Sequence, residues 1–198
     1  MRETILDFIR HGKPEGQCTY RGNGIDDPLS EAGWTQMWQA LDGQAPWHQV
    51  VTSPLARCQL FARALAEKYQ LPLKIEERIK EVGFGTWEGR TREEIKANNP
   101  DEYKAFYQDP VNNRPAGAEP LDDFFQRVGS ACEDIVKRHQ GRHILVVVHA
   151  GVIRAVMSNL LSIPPAVAYR IKIDNAGITR FGINPSGTHL VFHNRSRL

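Results

Sequence analysis

Apolar positions along the chain keep two alternating rhythms. Residues 4–9 (TILDFI) are a short, nearly continuous apolar run, the pattern of a buried strand. The segment PLSEAGWTQMWQAL then turns helical: Trp34, Met37, Trp38 and Leu41 are spaced i, i+3, i+4, i+7, with Ser30 at the N-cap. A short strand, HQVVT, leads into SPLARCQLFARALAEKY, where Cys58, Phe61, Leu65 and Tyr69 share a face. Ser53 is the expected N-cap there and Pro54 the first helical residue. LPLKIE reads as another short strand.

Residues 79–120 lose this rhythm. TREE is a capping box of Thr91 and Glu94. Pro100 opens a second short helix, Pro110 ends it, and DPVNNRPAGAEP is loop-like. LDDFFQRVGSACEDIVKRH predicts a longer amphipathic helix stopped by Gly141. RHILVVVH is apolar on both faces, as a central parallel strand would be. VIRAVMSNLL is helical. Two or three strands close the chain, VAYRIKI, ITRFGI and HLVFH, the last two joined by NPSGT. The alternation predicts an α/β sandwich on a mostly parallel sheet with a mixed edge. A helical lid insertion at about residues 79–128 lies over one end of it. No repeat or linker interrupts residues 1–198, so one domain is expected.

Composition narrows the function. The 198 residues suffice for one domain with a proper core. A net charge of +2, without basic or acidic blocks, points to neither nucleic acid nor a membrane surface. No apolar run approaches the roughly 20 residues that span a bilayer. Cys18, Cys58 and Cys132 form neither a disulfide framework nor a zinc spacing. With no signal-peptide pattern at the N-terminus, a cytoplasmic location is expected. Oligomeric state is not legible.

Ligands of open α/β sheets bind beyond the carboxyl ends of the strands. Three such ends carry chemistry: Arg10 and His11 after the first strand, Arg57 in VVTSPLARC, and His149 in VVVHAGVIR. Neighbouring strands would bring two arginines, two histidines and two helix N-termini to one rim. That set suits a dianionic phosphate. Gly12 and Gly151 allow close backbone approach. One neutral imidazole can attack phosphorus and the other can donate to its oxygens. EVGFGTWEG offers Glu81 and Glu88 as proton donors. Taken singly, each residue has a plainer reading: strand-end histidines, a solvated helix arginine, surface and capping carboxylates, and tryptophans that pack. The remaining histidines show no metal spacing. The joint pattern favours a site.

The ordered segments FIRHGK, SPLARCQLFA, EVGFGTWEG and VVVHAGVIRA resemble the histidine phosphatase superfamily, the phosphoglycerate-mutase-like branch, from about Ile5 to about Phe181. The resemblance implies a three-layer α/β/α sandwich and metal-independent phosphomonoester hydrolysis without a cofactor. It implies His11 as the phosphorylated nucleophile and Arg10, Arg57 and His149 as the phosphate pocket, joined by the Gly151 turn. It implies Glu81 as the acid–base carboxylate. YRGNGIDDPLSEAG resembles another family segment, which places Arg21 toward substrate or phosphate. Val148 stands where the family often has Ser or Thr. H-A-G-V-I-R with IDNAGITRF looks most like the alpha-ribazole phosphatases of cobalamin synthesis. The expected partner is a small phosphate monoester. A mutase is the alternative within the family. Against it, residues 86–126 are rich in acids and carry few cations, Arg90 and Arg114 among them. A non-catalytic phospho-ligand binder is the alternative outside enzymes.

Overall fold

The computed structural model describes residues 2–198. A six-stranded sheet has the order β3-β2-β4-β1-β5-β6. Its strands are β1 (Thr4–Arg10), β2 (Gln49–Thr52), β3 (Leu73–Ile75), β4 (His143–Val148), β5 (Ile178–Asn184) and β6 (Gly187–Arg195). β3, β2, β4 and β1 run parallel, while β5 and β6 are antiparallel additions at one edge. The strand-end arrangement expected from the sequence follows from this order, because β2, β4 and β1 are adjacent.

Alternate strand residues feed two cores, as a pleated sheet covered on both faces requires. Leu6, Phe8, Ile144, Val146 and Val148 pack with α5 (Leu121–Arg138) and α6 (Ala150–Leu161). Ile9, Leu145 and Val147 pack on the other face with α1 (Glu31–Leu41) and α2 (Ala56–Tyr69). The result is a three-layer α/β/α sandwich. Helix α1 starts as its pattern predicts, with Ser30 Oγ accepting the Gly33 N–H. In the lid, the Thr91–Glu94 capping box opens α3 (Arg92–Asn98), and Pro100 opens α4 (Pro100–Gln108). Trp87, Ile95 and Phe106 form a small core of their own there. Residues 121–128 are the first turns of α5, buried in the main core rather than in the lid.

Two sequence expectations need correction. VAYRIKI is not a strand. Pro164 and Pro165 instead start a single helical turn, α7 (Pro165–Ala168). The carbonyls of Ile171 and Ile173 accept from the Arg154 and Arg10 side chains instead of entering a ladder. Ser53 does not cap α2. That helix begins at Ala56, and its first free N–H is taken by the Asp26 carboxylate from a distant loop, at 2.6 Å.

One ionic cluster lies inside the fold, away from the strand ends. Asp7, fully buried on β1, accepts from Nε and Nη2 of Arg180 at 2.7 and 2.9 Å and from Trp47 at 2.9 Å. His143 Nε2 lies 2.7 Å from the same carboxylate. Burial pushes the Asp7 carboxyl upward, but the Arg180, His143 and Trp47 hydrogen bonds outweigh it and hold the group below its ordinary value. A depressed folded-state value adds stability above the unfolded aspartate range and loses it as pH falls through the folded value. Asp7→Asn should therefore cost about 1–3 kcal/mol in urea unfolding at pH 7, since it weakens the hydrogen bonds of Trp47 and His143 and leaves the half-buried Arg180 charge unpaired. The deficit relative to the native chain should shrink as pH is lowered below the aspartate range.

Candidate active site

The ladder continues past the ends of the three central strands and fixes the site's backbone. The His11 N–H donates to Val148 O at 2.9 Å, and the Ser53 N–H donates to Val147 O at 3.1 Å. His11, Ser53 and His149 thus leave the sheet side by side. A Cβ on Gly12 would run into the Gly33 carbonyl. The close approach that Gly12 permits is therefore to the first turn of α1, which braces the turn carrying His11.

His11 is 6% exposed, and His149 is fully buried. Their ring centroids are 5.2 Å apart. His11 Nδ1 lies 2.8 Å from the Gly12 carbonyl, which can only accept. The proton is therefore on Nδ1, and the Nε2 lone pair is free. Burial, with the Arg10 and Arg57 charges, holds the imidazole well below its ordinary pKa. The Gly12 hydrogen bond opposes this and Arg21 adds to it. His149 is depressed in the same sense, by burial and then by Arg57, His11 and Arg10. Both rings are neutral near pH 7, and His11 has the form a nucleophile needs.

The two arginines are placed by backbone carbonyls. Arg10 Nη1 donates to Ile173 O at 2.7 Å. Arg57, 1% exposed, donates from Nη1 to Ile25 O at 2.9 Å and from Nη2 to Gly22 O at 2.8 Å. Among the described residues, two buried side-chain N or O atoms lack a hydrogen-bond partner, and they are the Nε atoms of Arg10 and Arg57. A buried donor left unpaired costs about 1–3 kcal/mol. Two such donors beside two neutral histidines are suited to an anion, whose oxygens would satisfy both.

Glu81 reaches the same rim from the segment after a 3₁₀ turn, Glu77–Ile79. Its carboxylate accepts the Val82 N–H at 3.0 Å and the Gly151 N–H at 3.2 Å. A Cβ on Gly151 would meet that carboxylate and, at 3.3 Å, the Phe124 ring. The structure therefore seats Glu81 on Gly151, where the sequence reading put phosphate. Both helix ends expected to bind phosphate offer an N–H to a carboxylate instead, α2 to Asp26 and α6 to Glu81. Arg127 of α5 and Arg114 of the lid hold the Glu81 segment. Arg127 donates to the carbonyls of Arg78, Lys80 and Glu81, and Arg114 donates to that of Gly83.

Arg21 is committed to its own loop. Nε pairs with Asp27 at 2.8 Å, and Nη2 donates to the carbonyls of Glu15 and Gln17. It braces residues 15–27 and reaches His11 only through its charge. Glu88 accepts the Phe84 N–H at 2.9 Å, inside the lid segment. Sequence reasoning missed Asp26 and Arg127, which hold the site from loops and helices far away in the chain. It also missed Ser53, whose Oγ lies 2.7 Å from His149 Nε2. The only sequence signal for Ser53 is its place next to a strand end, which a helix cap shares.

Comparisons with known proteins bear on the family and the fold. The sequence profile of the histidine phosphatase superfamily (branch 1) matches residues 6–196. A bifunctional protein of Mycobacterium tuberculosis is 31% identical over 180 residues, 89% of this chain and 49% of that one. The chain thus spans about half the length of that relative. Phosphoserine phosphatase 1 of Hydrogenobacter thermophilus is 30% identical over 174 residues, 86% of this chain and 82% of its own. The crystal structure of the alpha-ribazole phosphatase from Shigella flexneri superposes with a TM-score of 0.83 at 26% identity, covering 98% of each chain.

The unpaired arginine donors make anion affinity the direct check on this site. Inorganic phosphate, titrated calorimetrically, should bind the native protein. Arg10→Gln removes a charge-assisted contact of about 1.5–3 kcal/mol and should weaken binding about 10- to 100-fold. Equal affinity in the two proteins would remove Arg10 from the site.

Proposed function

The chain belongs to the histidine phosphatase superfamily, and from that premise we propose that it hydrolyses small organic phosphomonoesters through a phosphohistidine on His11. The observation that carries this reading is the pairing of a neutral His11, with Nε2 free, with the unpaired Nε donors of Arg10 and Arg57.

The chemistry runs in two steps. His11 Nε2 attacks phosphorus in line with the leaving oxygen. The N–P bond forms as the P–O bond to the alcohol breaks, and protonated Glu81 gives its proton to the departing oxygen. Water then attacks the phosphohistidine while the Glu81 carboxylate takes its proton. The N–P bond breaks, and inorganic phosphate leaves with His11 restored. Throughout, Arg10, Arg57 and His149 offset charge on the three transferring oxygens, which is the main task of the protein in phosphoryl transfer. The reaction draws on no metal or cofactor.

Hydrolysis is favoured over mutase chemistry by what the lid does with Arg114, while Arg90 lies exposed on the lid. A mutase needs free positive charge for the second acidic group of a bisphosphate. Arg114 is occupied instead by Glu119 O, Gly83 O and the Tyr169 hydroxyl. A purely binding role leaves the nucleophilic tautomer of His11 and the adjacent carboxylate of Glu81 without a task. Two of the lid's aromatics, Trp87 and Phe106, are buried against one another and serve packing. As the substrate we propose alpha-ribazole 5′-phosphate, supported by the H-A-G-V-I-R segment and by the alpha-ribazole phosphatases among the similar proteins. The phosphoserine phosphatases among them make phosphoserine the proper competitor. The comparison of kcat/KM for the two esters decides between them.

Two variants test the roles. His11→Ala should abolish turnover of an aryl phosphate, and near-native turnover would end the assignment. Glu81→Gln should slow an alkyl ester far more than a phenolic one, because a good leaving group needs little protonation. Equal losses on both esters would show that Glu81 is not the acid.

A further inference from the structure

The chemistry above uses His149 as a donor, and a neutral imidazole donates from one nitrogen only. We propose that Ser53 is a positioning residue whose hydroxyl donates to Nε2 of His149 and thereby fixes the ring proton on Nδ1, the nitrogen that serves a phosphoryl oxygen. The proposal deepens the phosphatase reading and rests on it.

Proton bookkeeping around the ring leads to this assignment. Ser53 Oγ is 2.7 Å from His149 Nε2, and both residues are fully buried. The same oxygen accepts the Leu55 N–H at 3.3 Å. The hydroxyl has no other acceptor among the described residues, so its hydrogen is available for Nε2. The neighbouring Thr52 hydroxyl donates to the Ser53 carbonyl and does not compete. Cys58 Sγ lies 3.6 Å from Nε2 and 3.8 Å from Nδ1. Its S–H points to Val148 O at 3.4 Å, and burial pushes the thiol pKa up, so it stays protonated and its one hydrogen is committed. Nδ1 thus has no oxygen or nitrogen partner among the described residues. Arg57 and Arg10, the charged groups that act on the ring from α2 and β1, both disfavour a second proton, as do burial, His11 and the more distant Arg127. The ring therefore carries a single proton whose position the Ser53 hydroxyl decides. Were it on Nε2, Nδ1 could offer a phosphoryl oxygen only a repelling lone pair.

The two histidines then use one tautomer for opposite ends. The Gly12 carbonyl holds the proton on Nδ1 of His11 and frees Nε2 to attack. The Ser53 hydroxyl holds the proton on Nδ1 of His149 and makes that atom the donor. Sequence reading assigned Ser53 to a helix cap, and the helix it would have capped starts three residues later.

The test is NMR of the full chain labelled with ¹⁵N-histidine and free of bound anion, combined with steady-state kinetics. In the native protein His149 should carry its proton on Nδ1. Ser53→Ala should move it to Nε2 and lower kcat about 10²-fold, the usual cost of one lost oxyanion donor, with a smaller effect on KM. Ser53→Thr should restore both the tautomer and most of kcat, which a merely structural role in the 53–55 turn does not require. A native His149 protonated on Nε2 overturns the proposal, even if Ser53→Ala fails to fold. So does a folded Ser53→Ala that keeps the native tautomer and kcat. If the native protein shows the Nδ1 proton but cleaves no phosphate ester, the phosphatase reading fails while the Ser53 assignment stands.

Discussion

The structure turns on holding two arginine side chains inside the protein with one donor each left unpaired. Burying charges is unfavourable, and the fold offsets this with carbonyls. Ile173 O takes one Nη of Arg10, and Ile25 O and Gly22 O take both Nη atoms of Arg57. These contacts explain features that otherwise look arbitrary. The segment after α7 stays irregular because its carbonyls face Arg154 and Arg10. The 19–27 loop folds back over α2 because Arg57 holds its carbonyls and its Asp26 caps the helix. The two buried Nε groups remain without a partner.

Carboxylates and hydroxyls complete the arrangement. Helix N-termini are natural anion sites, yet here the fold gives α2 to Asp26 and α6 to Glu81. In the proposed chemistry this division leaves phosphate to arginines and histidines and brings a proton-carrying carboxyl to the edge of the same pocket. Glu81 is held at both levels: its carboxylate sits on the Val82 and Gly151 N–H groups, and its carbonyl is tied to Arg127. A carboxyl that must act on a leaving oxygen gains from such rigidity, because reacting groups held in place need no further ordering.

Much of this was legible in the sequence. Local rules place the buried β1, the Ser30 cap of α1, the Thr91–Glu94 box and the Pro100 start of α4, since each depends on neighbours in the chain. His11, Arg57 and His149 could be placed at strand ends because an apolar run marks each strand. What failed involved partners distant in sequence. Residues 167–173 have strand-like composition, but side chains from β1 and α6 take their carbonyls. Ser53 gives up the role that the local pattern assigns it: Asp26 caps α2 from 30 residues away, and Ser53 turns to His149. Arg21 looked like a phosphate ligand from its motif, and only the folded loop shows its donors spent on Asp27, Glu15 and Gln17.

The central claim is that the fold prepares one particular nitrogen, Nε2 of His11, to accept a phosphoryl group. Rapid quench of the native protein with a phosphate ester under alkaline conditions, followed by peptide mass spectrometry and ³¹P NMR, locates that group directly. The account requires a single phosphohistidine, at His11 and on Nε2, because Nδ1 is occupied by its hydrogen bond to the Gly12 carbonyl. Phosphate on Nδ1, phosphate on His149, or turnover without any phosphoenzyme would contradict it.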